Sequence, residues 1–110
     1  MQTSASALYS GPSYHEIILD YDKVIELDKN FPYAYYNSSY VKCLAGEFDG
    51  AIENLTQAIE LEPYFAEAYF NRGLTYLYIE NTKQGCVDLS RAGELGLSDA
   101  YNIILRYCTK

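Results

Sequence analysis

Apolar side chains recur at spacings of three and four residues along most of the chain, which is the period of an amphipathic α-helix. The clearest stretch is 14–27, whose apolar positions are Ile17, Ile18, Tyr21, Val24, Ile25 and Leu27. The strict alternation of apolar and polar residues that marks a half-buried β-strand is not visible anywhere. The pattern therefore predicts an all-α protein.

Capping and turn residues divide this pattern into separate helices. Ser13 and Glu16 have the spacing of a capping box, in which each side chain binds a free backbone amide of the other residue. Gly46 is predicted to close a helix in the left-handed conformation, while Asn81 and Ser98 are predicted to cap two later helices. The predicted helices are 14–27, 32–45, 48–61, 66–79, 82–95 and 99–108.

The chain repeats itself after 34 residues. This shift places Phe65-x-x-Ala68-Tyr69-x-Asn71 on Phe31-x-x-Ala34-Tyr35-x-Asn37. The same shift places Leu89, Ala92, Glu94 and Leu95 on Leu55, Ala58, Glu60 and Leu61. A fixed period of this length is the signature of stacked helix–turn–helix units, so we expect an α-α superhelix.

The residues at the expected helix crossings resemble those of the tetratricopeptide repeat (TPR) family over about 14–97. In the first helix of a repeat, an aromatic residue precedes a small one by four positions, as Tyr35 precedes Ser39 and Tyr69 precedes Gly73. Small residues recur in the second helix at Ala51, Ala58, Gly85 and Ala92. Small side chains let two helices cross closely. Residues 85–96, with the pattern Gly-Cys-x-Asp-Leu-Ser-x-Ala-Gly-Glu-Leu-Gly, further resemble the last repeat of bacterial TPR proteins.

The resemblance implies a TPR-like solenoid of about two and a half to three repeats. We predict the second half of a first repeat over 14–31, complete repeats over 32–65 and 66–97, and a C-terminal capping helix over 98–110. Residues 1–13 are interpreted as a vestigial first helix or a flexible N-terminus. We expect this end of the stack to be mobile or covered by a second molecule, since it lacks a full cap.

Six residues depart from the family pattern. In the first repeat, Ile17 and Val24 replace small residues and Lys29 replaces the closing proline. Ser38 and Arg72 stand where the family usually has Leu, and Lys42 stands where it usually has Tyr. These departures predict less regular packing in the first repeats, without changing the predicted fold.

In TPR proteins the first helix of each repeat lines a concave groove, so the resemblance also implies where a partner would bind. The predicted groove residues are Tyr33, Tyr36, Tyr40 and Cys43 in one repeat and Glu67, Phe70, Leu74, Leu77 and Tyr78 in the next. Most are aromatic or aliphatic, and an exposed apolar patch usually marks a contact with another molecule. The alternative is that these side chains pack on neighbouring helices.

The sequence thus predicts a protein–protein interaction module that binds a peptide or partner protein in this groove. The alternative is a structural unit that self-assembles, for example as a homodimer, through its incomplete N-terminal repeat. The net charge is −7, and the stretch between Lys42 and Arg72 holds six acids and no Lys or Arg. This charge favours a basic partner and argues against nucleic acid. Some TPR grooves hold a C-terminal carboxylate with Lys, Arg and Asn, but Glu67 stands where that Lys is needed.

No residue constellation for catalysis is visible, so we expect no enzyme, no cofactor and no metal site. His15 is the only histidine, and it is far along the chain from Cys43, Cys86 and Cys108. The cysteine spacing matches no metal site and no disulfide framework, which predicts three free thiols and slightly favours the cytoplasm. No segment is apolar enough to span a membrane, and no signal peptide is visible.

Overall fold

The computed structural model of the chain describes residues 11–109, and within them the backbone forms six α-helices and no β-strand. The helices are α1 Tyr14–Leu27, α2 Pro32–Leu44, α3 Phe48–Leu61, α4 Ala66–Tyr78, α5 Thr82–Glu94 and α6 Asp99–Tyr107. The predicted all-α fold is confirmed, and every predicted helix is present with its ends within one residue. The vestigial helix predicted over 1–13 lies almost wholly outside the described residues, and residues 11–13 belong to no helix.

Each helix packs chiefly on the helices that precede and follow it in the chain. The helices α2 and α3 form one pair and α4 and α5 the next, with α1 at one end of the stack and α6 at the other. The buried residues form two clusters. One holds Tyr35, Leu55, Ala58, Ile59, Phe65 and Ala68, and the other holds Leu89, Ala92 and Ala100. Tyr69 packs against both clusters and so joins the two repeats.

Gly73 and Gly85 set the closest approach in the stack, where α4 crosses α5. A Cβ atom at Gly73 would lie 2.9 Å from Leu89 Cγ and 3.0 Å from the carbonyl oxygen of Gly85. A Cβ atom at Gly85 would lie 2.9 Å from the carbonyl oxygen of Gly73. The two backbones therefore touch, and the small residues predicted at this crossing are required by its geometry.

The predicted ends of the helices agree with the structure only in part. The capping box is confirmed, because the Ser13 amide donates to Glu16 Oε1 at 2.9 Å and the Glu16 amide donates to Ser13 Oγ at 3.2 Å. Gly46 closes α2 at φ +81°, as predicted. The caps at Asn81 and Ser98 were wrong, since neither side chain makes a capping hydrogen bond. Neither residue has the extended backbone that such a cap needs.

Two of the departures from the family pattern have definite structural consequences. Arg72 forms an ion pair with Asp88 of α5, with Nε 2.7 Å from Oδ2 and Nη2 2.9 Å from Oδ1. It also donates to Thr56 Oγ1 of α3 at 3.0 Å, so its side chain links three helices. Hydrogen bonding to Asp88 raises the pKa of Arg72 above its usual value. In the preceding repeat, Ser38 is buried and its Oγ has no hydrogen-bond partner.

The cysteine prediction was wrong for two of the three thiols. Cys86 of α5 and Cys108, which follows α6, form a disulfide whose Cα atoms lie 5.7 Å apart, whereas Cys43 is free. The pairing depends on how α6 folds back along α5, which the spacing of cysteines along the chain does not show. The preference for the cytoplasm was based on three free thiols, and only Cys43 is free in the structure. The cellular compartment therefore stays a prediction.

Replacing Gly73 by Ala is expected to lower the free energy of unfolding by about 2 kcal/mol, because the added methyl group meets backbone that has no room to move. Gly50→Ala is the matched control, since a Cβ there would meet only the flexible end of the Lys42 side chain. That variant should keep or slightly raise stability. The measurement is urea unfolding followed by circular dichroism. Equal stability of the two variants would contradict the close crossing.

Replacing both Cys86 and Cys108 by Ser is expected to lower the free energy of unfolding by up to about 3 kcal/mol, because the disulfide closes a segment of 22 residues. Cys43→Ser is the control and should change stability little. A dithiol reductant should destabilise the wild-type chain to the same extent and leave the double variant unaffected. Unfolding curves that do not respond to the reductant would show that the cross-link is absent or does not stabilise the fold.

Candidate partner-binding groove

The side chains of α2 and α4 meet at two levels along these helices. Near their N-terminal ends, Tyr36 lies close to Asn71 and Glu67. Nearer their C-terminal ends, Cys43 Sγ lies 3.5 Å from Thr75 Oγ1. Because these are the first helices of two successive repeats, their outer faces together form the surface for which partner contacts are predicted.

An apolar cleft of about 290 Å³ opens between the C-terminal halves of α2 and α4. We call it the tyrosine cleft, and it is lined by Ser39, Tyr40, Cys43, Phe48, Asn71, Leu74, Thr75 and Tyr78. None of these side chains is charged at neutral pH. The cleft brings together four of the predicted groove residues, namely Tyr40, Cys43, Leu74 and Tyr78.

Two tyrosines leave most of their surface open at this cleft, since Tyr40 is 59% and Tyr78 73% exposed. The Tyr78 ring is held by Phe48, whose ring centroid lies 4.9 Å away. Phe48 was not among the predicted groove residues, because it begins the second helix of its repeat rather than lying on the first. The turn at Gly46 brings the start of α3 back beside the end of α2. This glycine is therefore the sequence signal from which a place for Phe48 at the cleft could have been predicted.

The other end of the groove is also rich in tyrosine, but it carries a charge. Tyr33 and Tyr36 each place their ring centroid 4.9 Å from that of Phe65. Burial raises the pKa of Tyr36 above its usual value; its hydrogen bond with Asn71 opposes this effect, and the nearby Glu67 carboxylate adds to it. Glu67 is exposed, and it is the one charged residue of the predicted set.

Phe70, Leu74 and Leu77 are half-buried and pack against the cluster of Leu89, Ala92 and Ala100, which also receives Ile103 and Ile104 of α6. Leu74 also lines the tyrosine cleft, whereas Phe70 and Leu77 do not. Their packing corresponds to the alternative interpretation, in which a side chain of α4 contacts a neighbouring helix. Fewer residues are therefore open to a partner than the nine that were predicted to line the groove.

The basic residues of α2 and α4, Lys42 and Arg72, contact other helices and do not line the tyrosine cleft. Arg72 is bound by Asp88 and Thr56, and the Lys42 side chain lies over Gly50 of α3. Asn71 lines the tyrosine cleft, whereas Asn37 is exposed. An arrangement of Lys, Arg and Asn around a carboxylate is accordingly not formed by the side chains that line this cleft.

Within residues 11–109, no group of three or more His, Cys, Asp or Glu side chains is placed to hold a metal ion. No helix of this part of the chain is both long and apolar enough to cross a membrane. His15 is exposed in the first turn of α1.

Fold and groove together define an α-α superhelical repeat protein whose first helices present an apolar face. Residues 40–78 match the family model described as TPR repeat. Over these residues the chain is therefore similar to a tetratricopeptide repeat, as its sequence pattern predicts.

Several known proteins are similar to this chain. It is 26% identical over 95 residues to DnaJ homolog subfamily C member 7 of Mus musculus, an alignment that covers 86% of the chain and 19% of that protein. The chain thus spans about a fifth of the length of this relative.

Solved structures share the fold. The first TPR of Spaghetti (RPAP3), bound to the HSP90 peptide SRMEEVD, superposes with a TM-score of 0.81 at 23% identity, covering 86% of this chain and 77% of that one. A MamA protein gives 0.76 at 26% identity, covering 80% and 49%. YrrB, described as a TPR protein with an unusual peptide-binding site, gives 0.70 at 23% identity, covering 78% and 47%.

Proposed function

We propose that this chain is a protein–protein interaction module that binds an extended peptide segment of its partner along the groove between α2 and α4. The observation that carries the proposal is the tyrosine cleft, an uncharged concave site whose rim consists of the exposed rings of Tyr40 and Tyr78. Exposed aromatic rings around a concavity offer a large contact area at a low cost in side-chain entropy. Water held against such apolar walls is released when a peptide side chain enters.

Two of the similar structures support a peptide as the class of ligand. One is a TPR domain bound to a peptide, and the other is described by its peptide-binding site. In both of those proteins the fold serves as a surface for peptides.

The groove proposal predicts that Tyr40→Ala combined with Tyr78→Ala weakens peptide binding about tenfold or more, because large aromatic residues at the centre of a contact contribute most of its free energy. Peptides are first selected on the wild-type chain from a displayed library of random short sequences. Their dissociation constants for each variant are then measured by fluorescence anisotropy.

The matched control is Tyr64→Ala, which removes a tyrosine that is equally exposed but does not line the cleft. Circular dichroism should show unchanged helicity in both variants. If the selected peptides bind the double variant as tightly as the wild type, or lose affinity equally in the control, the groove is not their binding site.

A second candidate function is self-assembly through the N-terminal end of the stack. The observation in its favour is the outer face of α1, where Leu19 and Val24 are exposed and Leu27 is 89% exposed. A helix with this many exposed aliphatic side chains can bury them against a second copy of the chain.

Self-assembly predicts a dimer that dissociates on dilution, and Leu19→Glu should shift it toward the monomer because a carboxylate would be buried in the contact. The measurement is analytical ultracentrifugation over a range of concentrations. Glu60→Gln, on the exposed face of α3, serves as a control. A wild-type chain that is monomeric at every concentration would rule out this function.

A further inference from the structure

We propose that the groove selects a peptide in which a basic residue and a large apolar residue are three positions apart, with the apolar side chain in the tyrosine cleft and the cation beside Glu67. This inference rests on the proposed function and adds the chemistry of the partner. It is carried by the volume and lining of the cleft, by the unpaired charge at the other end of the groove, and by the distance between the two.

The apolar position follows from the cleft itself. At roughly 30 Å³ for each water-sized group, its volume of about 290 Å³ holds about ten such groups, enough for one Leu, Met or Phe side chain and its backbone. Phe48, Leu74 and Cys43 supply apolar walls, and no lining side chain could neutralise a charge. A charged side chain placed there would lose its hydration without gaining an ion-pair partner.

The basic position follows from Glu67. Its carboxylate is exposed, and the ion pairs in the described part of the chain, Arg72–Asp88 and Arg91–Glu94, do not involve it. Tyr36 is near enough for the Glu67 carboxylate to raise its pKa, and Tyr33 and Tyr36 both pack against Phe65 at this end of the groove. An exposed carboxylate with aromatic rings in its neighbourhood favours a Lys or Arg side chain, which can form an ion pair and contact a ring.

The two positions lie on one face of α4. Glu67, Asn71, Leu74 and Tyr78 follow spacings of four, three and four residues, which place them in one row along the helix. The last three line the cleft, so Glu67 continues the same row toward the N-terminal end.

The separation sets the spacing of the motif. Seven residues of helix separate Glu67 from Leu74, which is about 10 Å at 1.5 Å per residue. An extended peptide advances about 3.3 Å per residue, so three positions cover the same distance. The motif is therefore a basic residue, two spacer residues and a large apolar residue, in either chain direction.

The peptide expected to bind this groove differs in charge from the one bound to the first TPR of Spaghetti (RPAP3). The sequence SRMEEVD holds three acidic residues and one Arg. Glu67 would repel such acids, and the net charge of −7 adds to this repulsion.

The test uses four blocked synthetic peptides whose ends carry no charge, measured by fluorescence anisotropy on the full chain. The first contains Lys-Gly-Ser-Phe. In the second the Lys is moved four positions further from the Phe, in the third it is replaced by Glu, and in the fourth the Phe is replaced by Ser. We expect the first peptide to bind about tenfold or more tightly than each of the others, at low ionic strength.

Two charge-reversal variants separate the role of Glu67 from that of the net charge. Glu67→Lys should invert the preference, so that the Glu peptide binds better than the Lys peptide. Glu53→Lys changes the net charge equally at an exposed position on α3 and should leave the preference for Lys in place. Equal effects of the two variants would overturn the inference, because net charge alone would then explain the selectivity.

The remaining outcomes distinguish this inference from the proposed function. If all four peptides bind equally and lose affinity in the Tyr40→Ala, Tyr78→Ala variant, the groove binds peptides but the motif is wrong. If none of the four binds, the motif is likewise wrong, and the peptides selected from the random library decide whether the groove is a peptide site.

Discussion

The contact between the backbones of α4 and α5 is the constraint on which the rest of the structure depends. Gly73 and Gly85 each lie against the carbonyl oxygen of the other, so the two helices are as close as their main chains allow. Each glycine also leaves room for a large side chain of the other helix, Leu89 at Gly73 and Leu77 at Gly85. Leu74 and Tyr78 of α4 line the tyrosine cleft.

The side chains beside this crossing serve two different purposes. Tyr69 and the hydrogen bond from Arg72 to Thr56 join one repeat to the next, whereas the Arg72–Asp88 ion pair links α4 to α5 within the same repeat. A buried pair of this kind specifies geometry more than it adds stability, because the attraction is largely offset by the loss of hydration. Tyr40 and Tyr78 leave most of their surface open, although the Tyr78 ring also contacts Phe48 of the preceding repeat. This division explains how a stack of simple repeats can carry a face that is free to bind.

Much of the fold was predictable from local signals. The three- and four-residue spacing and the capping box at Ser13 act within one helix, and the helix ends were accordingly predicted to within one residue. The repeat after 34 residues was sufficient to predict the stacking, because equivalent small residues must fall at equivalent crossings. What could not be predicted depends on contacts between distant segments. The Cys86–Cys108 disulfide needs α6 to fold back on α5, and Phe48 reaches the tyrosine cleft only through the turn before it.

The predicted groove illustrates the same limit. The periodicity places nine residues on the expected face, but it does not distinguish a side chain that faces solvent from one covered by the next helix. Phe70, Leu74 and Leu77 are partly covered, because they pack against the cluster that α6 completes at the C-terminal end of the stack. The side chains that remain open are concentrated toward α2, which is why the proposed peptide site lies between the two complete repeats and not at the C-terminal end.

The central claim is that the faces of α2 and α4 receive the partner, and backbone amide chemical shifts during addition of the Lys-Gly-Ser-Phe peptide test it most directly. The account predicts shift changes centred on Tyr36 to Leu44, on Glu67 to Tyr78 and at the start of α3, with α5 little affected. Changes centred on the outer face of α1 or on α5 would contradict it.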